Sequence, residues 1–347
     1  MGIEFSVRRF DAEIEGSYLR LFPDDVASKP AELLRWRFRD GPHGPGFFAL
    51  ARDPDAGGAI VGLIGLIATR MQSGSVRIPA FQAVDTVVDP NYRGRGLFVG
   101  MGAAAQSETE VHGGRLIWGF PNANAAPGWF GKLGWRRFGT VPFLFKPLRS
   151  GYVLGRLAGF LRWVDLPLAW RRGTGTGVRP IARFGAEADR LWEACSAGRG
   201  CAVERDSAML NWRLFERPNS SYRVAGSFSG DGALQSMVAH CILEKHGGRI
   251  AYVMEALALP GHEAKLTALL RRAMYTAARE GAEVALAWCP AGAFNRKALR
   301  QAGFMTLPEK LRPVDIHFGA RELVPDVPPA ATDSLAWYLS YLDSDTV

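Results

Sequence analysis

Residues 83–98 of this 347-residue chain read AVDTVVDPNYRGRGLF. The first part is rich in valine, which favours a β-strand, and it ends at Asp89-Pro90. A turn with two glycines and two arginines follows, and a helical pattern begins near Leu97. A strand, a glycine-containing loop and a helix in this order bring backbone N–H groups to one point, which suits a phosphate or diphosphate group. A purely structural turn is the alternative from these residues alone.

The positive charge of the chain is concentrated in one segment. The chain has 42 Lys and Arg against 34 Asp and Glu, and residues 141–180 hold seven of the basic residues and one acid. A nucleic-acid-binding domain would instead show a basic stripe with interleaved aromatic residues, so no nucleic-acid partner is expected. Residues 152–163 predict a helix that braces two domains, which we favour over a helix on a membrane surface.

Cysteines and apolar runs exclude further classes. The four cysteines form no CxxC pair, which argues against a zinc site and a disulfide framework, and no other metal-ligand spacing occurs. The N-terminus lacks the apolar stretch of a signal peptide, and no run of 18 apolar residues is present. We therefore expect a cytoplasmic protein without a metal.

The two halves of the chain follow one plan. Strand and helix patterns alternate in both halves, and three short motifs recur in the same order at similar spacing. The pairs are LRWRF at 34–38 with LNWRL at 210–214, the strand ends at Pro90 and Pro260, and the turns at Gly134 and Gly303. The sequence thus predicts an α/β protein with a duplicated domain.

The first copy resembles the acetyl-CoA site of the GNAT superfamily, the acyl-CoA-dependent N-acyltransferases. That family has a strand, then Val-x-Pro, then Arg/Gln-x-x-Gly-x-Gly/Ala at the start of a helix. This chain has Val88-Asp89-Pro90 followed by RGRGLF at 93–98, with phenylalanine in the last position. Downstream, GFPNAN at 119–124 and Leu133-Gly134-Trp135 match a second family signal. The resemblance implies an α/β (α+β) fold with two GNAT-like domains in tandem, each a mixed twisted sheet flanked by helices.

The resemblance also implies a division of the chain. It predicts an acetyl-CoA-binding GNAT domain at 1–145, a basic apolar connector at 146–177, a degenerate GNAT-like domain at 178–320 and a tail at 321–347 docked on a domain. In the second copy, Glu263-Ala264-Lys265-Leu266 replaces Arg93-Gly94-Arg95-Gly96. A carboxylate there would repel a diphosphate, so the second copy is not expected to bind CoA. It would complete the substrate cleft or mediate dimerisation, which leaves a homodimer open.

The resemblance implies acetyl-CoA as the co-substrate and assigns roles to its contacts. Backbone groups of the strand would pair with the pantetheine arm, loop N–H groups would bind the diphosphate, and one of two asparagines would reach the cofactor or the acyl group. The residues are Val87, Val88, Arg93, Gly94, Arg95, Gly96, Leu97, Phe98, Asn122 and Asn124.

The acid and base are less well marked. Many members of the family have a carboxylate six residues before the valine of Val-x-Pro, and Gln82 stands there, which does not ionise. Asp85 is the carboxylate of the strand core, as a base or substrate anchor, or else as a structural ion-pair partner. The family's tyrosine acid is replaced by Phe130, so water or a residue elsewhere in the chain would protonate the thiolate. The C-terminal carboxylate of Val347 is a further candidate.

The resulting expectation is an enzyme. It would transfer an acetyl or other acyl group from CoA to a primary amine of a small molecule, such as an amino sugar or an amino acid. The alternatives are a non-catalytic acyl-CoA-binding module and an acetyltransferase for protein or peptide amines.

Overall fold

A computed structural model describes most of the chain. The described residues are 2–23, 30–157, 163, 165–168, 173, 177–197, 200–312 and 314–344. Val347 and residues 158–162 of the predicted brace helix lie outside them. The chain divides into two compact units. The first unit consists of residues 1–140, 216–218 and 316–334, and the second unit of residues 141–215, 219–315 and 335–347.

Both units contain strands and helices. In the described ranges the strands are β1 (Glu4–Arg9), β2 (Phe47–Asp53), β3 (Ala59–Ser73), β4 (Val76–Val88), β5 (Leu116–Gly119), β6 (Arg136–Thr140), β7 (Phe143–Pro147), β8 (Val178–Pro180), β9 (Cys201–Val203), β10 (Arg223–Phe228), β11 (Leu234–Lys245), β12 (Gly248–Ala258), β13 (Val284–Trp288), β14 (Met305–Thr306) and β15 (His317–Glu322). The α-helices are α1 (Ala12–Leu21), α2 (Ala31–Phe38), α3 (Leu97–Val111), α4 (Ser150–Leu157), α5 (Ala186–Ser196), α6 (Ser207–Leu214), α7 (Glu263–Arg279) and α8 (Arg296–Gln301).

The sheet of the first unit runs in the order β1-β2-β3-β4-β5-β15-β6. β4 and β5 are parallel, whereas β15 is antiparallel to both of its neighbours, so the sheet is mixed. Residues on opposite faces of a strand belong to different cores. Phe47 of β2 packs in one core with Leu97 and Met101 of α3. Phe48, the next residue, packs in the other core with Leu34 of α2.

Local sequence sets the ends of the helices that cover this sheet. Asp11 caps α1, because its side chain accepts a hydrogen bond from the backbone N–H of Ile14 at 2.9 Å. Ile14 and Tyr18, four residues apart on one face, are buried. α3 begins directly after Gly96, which adopts a left-handed conformation with φ 80°. This start places the N-terminus of α3 at the end of β4.

The sheet of the second unit runs in the order β14-β7-β13-β12-β11-β10-β8. β12 and β13 are its parallel pair, with Ile250 opposite Val284 and Val253 opposite Ala287. α7 follows β12 as α3 follows β4, and it buries residues three and four apart such as Leu266 and Leu270. The prediction of two mixed sheets flanked by helices is confirmed.

Each unit includes a strand from the other half of the sequence. β15 lies between β5 and β6 in the first sheet, and β7 lies between β13 and β14 in the second. The two strands thus occupy equivalent places in the two sheets. The segments at 1–145 and 178–320 therefore each contain a strand that pairs in the other segment's sheet.

The described residues contain no membrane-spanning helix, no metal-binding cluster and no disulfide. No helix there is long and apolar enough to cross a membrane. No group of three or more His, Cys, Asp or Glu side chains in that part of the chain is arranged to bind a metal ion. All four cysteines are buried free thiols.

Candidate active site

β4 contains a β-bulge at its centre. Val84 lies opposite Gly65 and Val87 lies opposite Leu63, so two residues of β4 face one residue of β3. Asp85, the first of those two, has φ 48°, a left-handed conformation that aspartate adopts more readily than most residues. The bulge changes the direction of the strand just before the loop.

β4 and β5 part at the same place. Their parallel pairing extends from Ala80 and Leu116 to Ala83 and Gly119. β5 then ends, whereas β4 continues to Val88. The β5-side edge of β4 beyond Ala83 is therefore no longer paired with β5, and an extended ligand can add to such an edge as a strand would. We call this opening the β4–β5 gap.

The loop from Asp89 to Gly96 joins β4 to α3. The side chain of Asp89 accepts a hydrogen bond from the backbone N–H of Asn91 at 2.9 Å and starts the turn. Gly94 and Gly96 have φ of 78° and 80°, which side chains larger than glycine adopt only with strain. The loop so formed leads into the N-terminus of a 15-residue helix, where an anion is stabilised.

The two arginines of the loop are exposed. Nε of Arg93 donates to the carbonyl of Val88 at 3.4 Å, and Nη2 of Arg95 donates to the carbonyl of Asn91 at 3.2 Å. The guanidinium of Arg95 lies 4.9 Å from the centre of the Tyr92 ring. In the described part of the chain neither arginine forms a salt bridge, so both positive charges are available to an anionic ligand.

A second contact fixes the loop to the sheet. The Tyr92 hydroxyl donates to Oδ2 of Asp53, at the end of β2, at 2.6 Å. This hydrogen bond lowers the pKa of Asp53 and raises the pKa of Tyr92, because it stabilises the charged carboxylate and the neutral phenol. The start of the loop is thereby held against the sheet.

The unexpected phenylalanine of the motif has a matching glycine. The Phe98 ring packs on Gly128, where an added Cβ would lie 2.1 Å from Cε1 of that ring. The same ring meets Trp129 edge-on at 5.3 Å. A large side chain is therefore accommodated at position 98 because position 128 has none.

Asp85 forms a buried ion pair. Nη1 of Arg37, on α2, lies 2.7 Å from Oδ2 of Asp85, and the two side chains are 3% and 6% exposed. Gln82, three residues earlier, is 9% exposed and lies opposite Ile67 and Trp118 on the neighbouring strands. The sequence left the role of Asp85 open between catalysis and structure, and this geometry supplies the structural partner.

The two asparagines follow β5 on an exposed segment. Oδ1 of Asn122 accepts a hydrogen bond from the backbone N–H of Ala125 at 2.9 Å, which starts the helical turn over 127–132. Asn124 is exposed. Asn122 therefore has a local structural contact that the sequence did not predict.

Sequence reasoning missed the contribution of β15. Phe130, in the place of the family's tyrosine, packs against Gly319, where an added Cβ would lie 2.4 Å from its Cε1. Arg137 lies over the Phe130 ring and its Nη2 is 3.2 Å from Nδ1 of His317. No local signal could have revealed this, since His317 and Gly319 are more than 170 residues away from the site motifs.

In the second unit, side chains of that unit hydrogen-bond to the backbone at the start of α7 and beyond the β12–β13 pairing. Oε1 of Glu263 accepts a hydrogen bond from the backbone N–H of Gly261 at 3.2 Å, at the start of α7. Beyond the end of the β12–β13 pairing, both backbone groups of Ala256 have side-chain partners. Its N–H donates to Oε1 of Glu255 at 2.8 Å, and its carbonyl accepts from Nδ2 of Asn295 at 3.0 Å. This edge of β12 is already hydrogen-bonded.

A comparison with protein families identifies the class of the first unit. Residues 17–138 match the family model described as "Acetyltransferase (GNAT) domain". This part of the chain is therefore a GNAT domain, as its sequence motifs predict, and the match supports an N-acyltransferase. No curated protein matches the sequence.

Solved structures share the fold over almost the whole chain. A probable N-acyltransferase of Enterococcus faecalis has 14% identity and a TM-score of 0.63, over 93% of this chain and 73% of that one. A GCN5-related N-acetyltransferase of Anabaena variabilis has 10% identity and a TM-score of 0.62, over 92% and 73%. Saccharomyces cerevisiae N-myristoyltransferase with bound myristoyl-CoA has 11% identity and a TM-score of 0.59, over 91% and 82%. At these identities the likeness shows the fold alone.

Proposed function

We propose that the first unit transfers an acetyl group from acetyl-CoA to a primary amine of a small molecule. The observation that supports this most directly is the β4–β5 gap, which opens at a loop with two left-handed glycines and two exposed arginines. An acyl-CoA has one extended arm and one charged diphosphate, and the gap and the loop match these two parts in order. A cytoplasmic location is part of this proposal.

The residues present fit the cofactor. Gly94 and Gly96 let backbone N–H groups turn towards the diphosphate, and Arg93 and Arg95 offer it positive charge. The edge of β4 up to Val88 would pair with the amide groups of the arm. Binding would thus rest mainly on backbone groups.

Catalysis would come chiefly from positioning. The amine nitrogen forms a bond to the thioester carbonyl carbon, the C–S bond breaks, and the proton lost by nitrogen reaches the departing CoA sulfur through water. Gln82 does not ionise and Asp85 is paired with Arg37, so the proposal does not depend on a base at either position. Holding the two reactants together in one geometry can still lower the barrier by several kcal/mol, roughly 7 or more.

The role of Asp85 can be separated from its ion pair. If Asp85 is the base, Asp85→Asn lowers kcat while the Kd for acetyl-CoA stays the same. If it is structural, Asp85→Asn and Arg37→Met lower the melting temperature together, and turnover per folded molecule is unchanged.

The glycine loop supplies the main test. An alanine at Gly94 or Gly96 would have space for its Cβ but would be strained at positive φ. We expect the double variant Gly94→Ala, Gly96→Ala to bind acetyl-CoA at least tenfold more weakly by calorimetry. Gly74→Ala is the matched control, because Gly74 has φ 59°, has equal space and lies in the β3–β4 hairpin turn. Equal affinities in all three proteins would contradict the proposal.

A non-catalytic acyl-CoA-binding module is the second candidate. Gln82 and Phe130 favour it, because they replace an ionisable residue and a hydroxyl at two positions of the family pattern. Release of free CoA that depends on an added amine would exclude this candidate. Binding of acetyl-CoA with no release against small amines and peptides would support it.

We also propose that only the first unit binds acyl-CoA. The carboxylate of Glu263 and the hydrogen-bonded edge at Ala256 support this. Calorimetry with acetyl-CoA should give one site per chain, and two sites would contradict the proposal.

A further inference from the structure

The two faces of the first sheet differ at the β4–β5 gap. Phe81 and Ala83 of β4 belong to the core that packs against α3, the helix that follows the cofactor loop. Val84 and Val87 pack in the core of α1 and α2. Gln82, between Phe81 and Ala83, therefore lies on the face opposite to α3, because side chains alternate along a strand.

Four aromatic side chains continue this face away from Gln82. Trp118 of β5 is in register with Gln82. From Trp118 the rings follow one another, with centroids 5.6 Å apart to Phe120, 5.4 Å from there to Phe318 and 5.2 Å from Phe318 to Phe138. We call Gln82 and these four rings the aromatic platform.

The platform has an accessible part next to the gap. Trp118 and Phe318 are buried, whereas Phe120 and Phe138 are partly exposed. Phe120 comes directly after β5, at the point where β5 leaves β4. A molecule lying on Phe120 would therefore sit beside the gap, on the face opposite to α3.

The platform offers little to a polar ligand. The indole N–H of Trp118 already donates to the hydroxyl of Thr69 at 3.1 Å, and Gln82 is 9% exposed. Asp85 and Arg37, on the same face, neutralise one another. A sugar placed here would lose water from several hydroxyl groups and would find few partners for them among these described side chains, which is unfavourable. An apolar or aromatic body would gain by burial and by ring contacts, and its ammonium group is attracted to ring faces.

We propose that the acceptor is an alkyl or arylalkyl amine whose apolar body lies on the aromatic platform, with its amino group towards the β4–β5 gap. This inference rests on the proposed acyl transfer and narrows the acceptor from amino sugars and amino acids to apolar amines. The platform suits the acceptor rather than the acyl chain because it lies on the face opposite to α3, whereas the cofactor loop leads into α3.

The test compares amines and acyl donors. Release of CoA is measured with acetyl-CoA and octanoyl-CoA against 2-phenylethylamine, octylamine and glucosamine. With acetyl-CoA we expect kcat/KM for the two apolar amines to exceed that for glucosamine at least tenfold. Phe120→Ala and Phe138→Ala should each lower kcat/KM for 2-phenylethylamine about tenfold and leave KM for acetyl-CoA unchanged.

Two controls keep the result specific. Phe228→Ala removes an equally partly exposed phenylalanine from β10 of the second unit and should change neither constant. Thermal unfolding shows whether each variant is folded, and Phe120→Leu, which keeps an apolar side chain, replaces Phe120→Ala if that protein does not fold.

Two outcomes of the turnover assay would overturn the inference. One is equal or faster turnover of glucosamine. Another is a loss confined to octanoyl-CoA in the Phe120 variant, since the rings would then bind the acyl chain. If no amine releases CoA although acetyl-CoA binds, the proposed function fails. Calorimetry with 2-phenylethylamine then tests separately whether the aromatic platform binds apolar amines. Binding that is weaker in Phe120→Ala supports the inference, and the absence of binding overturns it.

Discussion

At the scale of single residues, Phe98 and Gly128 show how a departure from a motif is accommodated. The family pattern has a small residue where this chain has Phe98, and the ring of Phe98 occupies the space that a side chain at Gly128 would need. The sequence alone does not show that these two residues are in contact, because they are 30 positions apart. Together they keep the start of α3 close to the helical turn over 127–132.

Gly128→Ala should therefore disturb the packing at the start of α3. The new methyl group forces the Phe98 ring to move, and overpacking of this kind costs about 1–3 kcal/mol of unfolding free energy. Chemical denaturation measures the loss. Phe98→Ala in the same protein should restore most of it, and a purely additive double variant would contradict the packing argument.

His240 predicts a pH dependence of stability. Its side chain is 6% exposed, and within the described residues its Nε2 has no hydrogen-bond partner. Burial lowers the pKa of His240 to about 4, with a smaller effect from the charge of Arg223. The folded protein thus keeps His240 neutral while the unfolded chain takes up a proton below its ordinary pKa of roughly 6.5.

Because the unfolded chain binds this proton more tightly, the free energy of unfolding decreases as the pH falls. The contribution of His240 is complete above about pH 6.5 and is lost as the pH falls towards 4, by up to about 3 kcal/mol. Urea denaturation at pH 7.5, 6 and 5 should show this loss in the wild type and a smaller one in His240→Leu. Parallel pH profiles of the two proteins would rule the assignment out.

At the scale of elements, the sequence predicted what is local. The strand, loop and helix over 83–98 were predictable because the valines, the paired glycines and the helical pattern are contiguous. The bulge at Asp85 was not, because it depends on the register with β3. The aromatic platform was not predictable either, since Phe318 joins Phe120 only through the pairing of β15 with β5. The places of β7 and β15 were not predictable either, because each strand pairs with segments more than 130 residues away in the sequence.

Gly319→Val tests the position of β15. A Cβ at Gly319 would lie 2.5 Å from the backbone carbonyl of Arg136 and 2.4 Å from the Phe130 ring. We expect a loss of about 1–3 kcal/mol in unfolding free energy, together with weaker acetyl-CoA binding in the first unit. Gly230→Val is the control, because an added Cβ there meets nothing within 4 Å. Equal stability of the two variants would contradict the observed pairing.

At the scale of the whole molecule, the last described residues complete the second unit. Arg205 lies between Glu255 and Asp343, at 2.7 Å from a carboxylate oxygen of each, and all three side chains are 0% exposed. The hydroxyls of Tyr338 and Ser340 also donate to Glu255. Burial raises the pKa of Asp343, although Arg205 opposes this. A long-range polar cluster therefore fastens residues 338–343 to the rest of the second unit.

Removal of the Arg205 guanidinium, which Glu255 and Asp343 share, should lower the stability of the protein strongly. Arg205→Met leaves two buried carboxylates without their partner, and breaking a buried pair in this way costs about 3–5 kcal/mol. A thermal melt of the full chain measures the effect. Arg8→Met, which breaks exposed pairs with Asp11 and Glu13, should cost less than about 1 kcal/mol. Similar melting temperatures for the two variants would refute the role of the cluster.

The exchange of strands also fixes when the first unit can be finished during protein synthesis. Six strands of its sheet lie within residues 4–140, yet the place between β5 and β6 belongs to residues 317–322. A ribosome must therefore translate residues 317–322 before the segment at 4–140 can complete its sheet. A product stopped before Phe318 lacks one ring of the platform as well as the strand that bears it. The glycine loop between β4 and α3 thus belongs to a sheet that closes only after translation has passed Glu322.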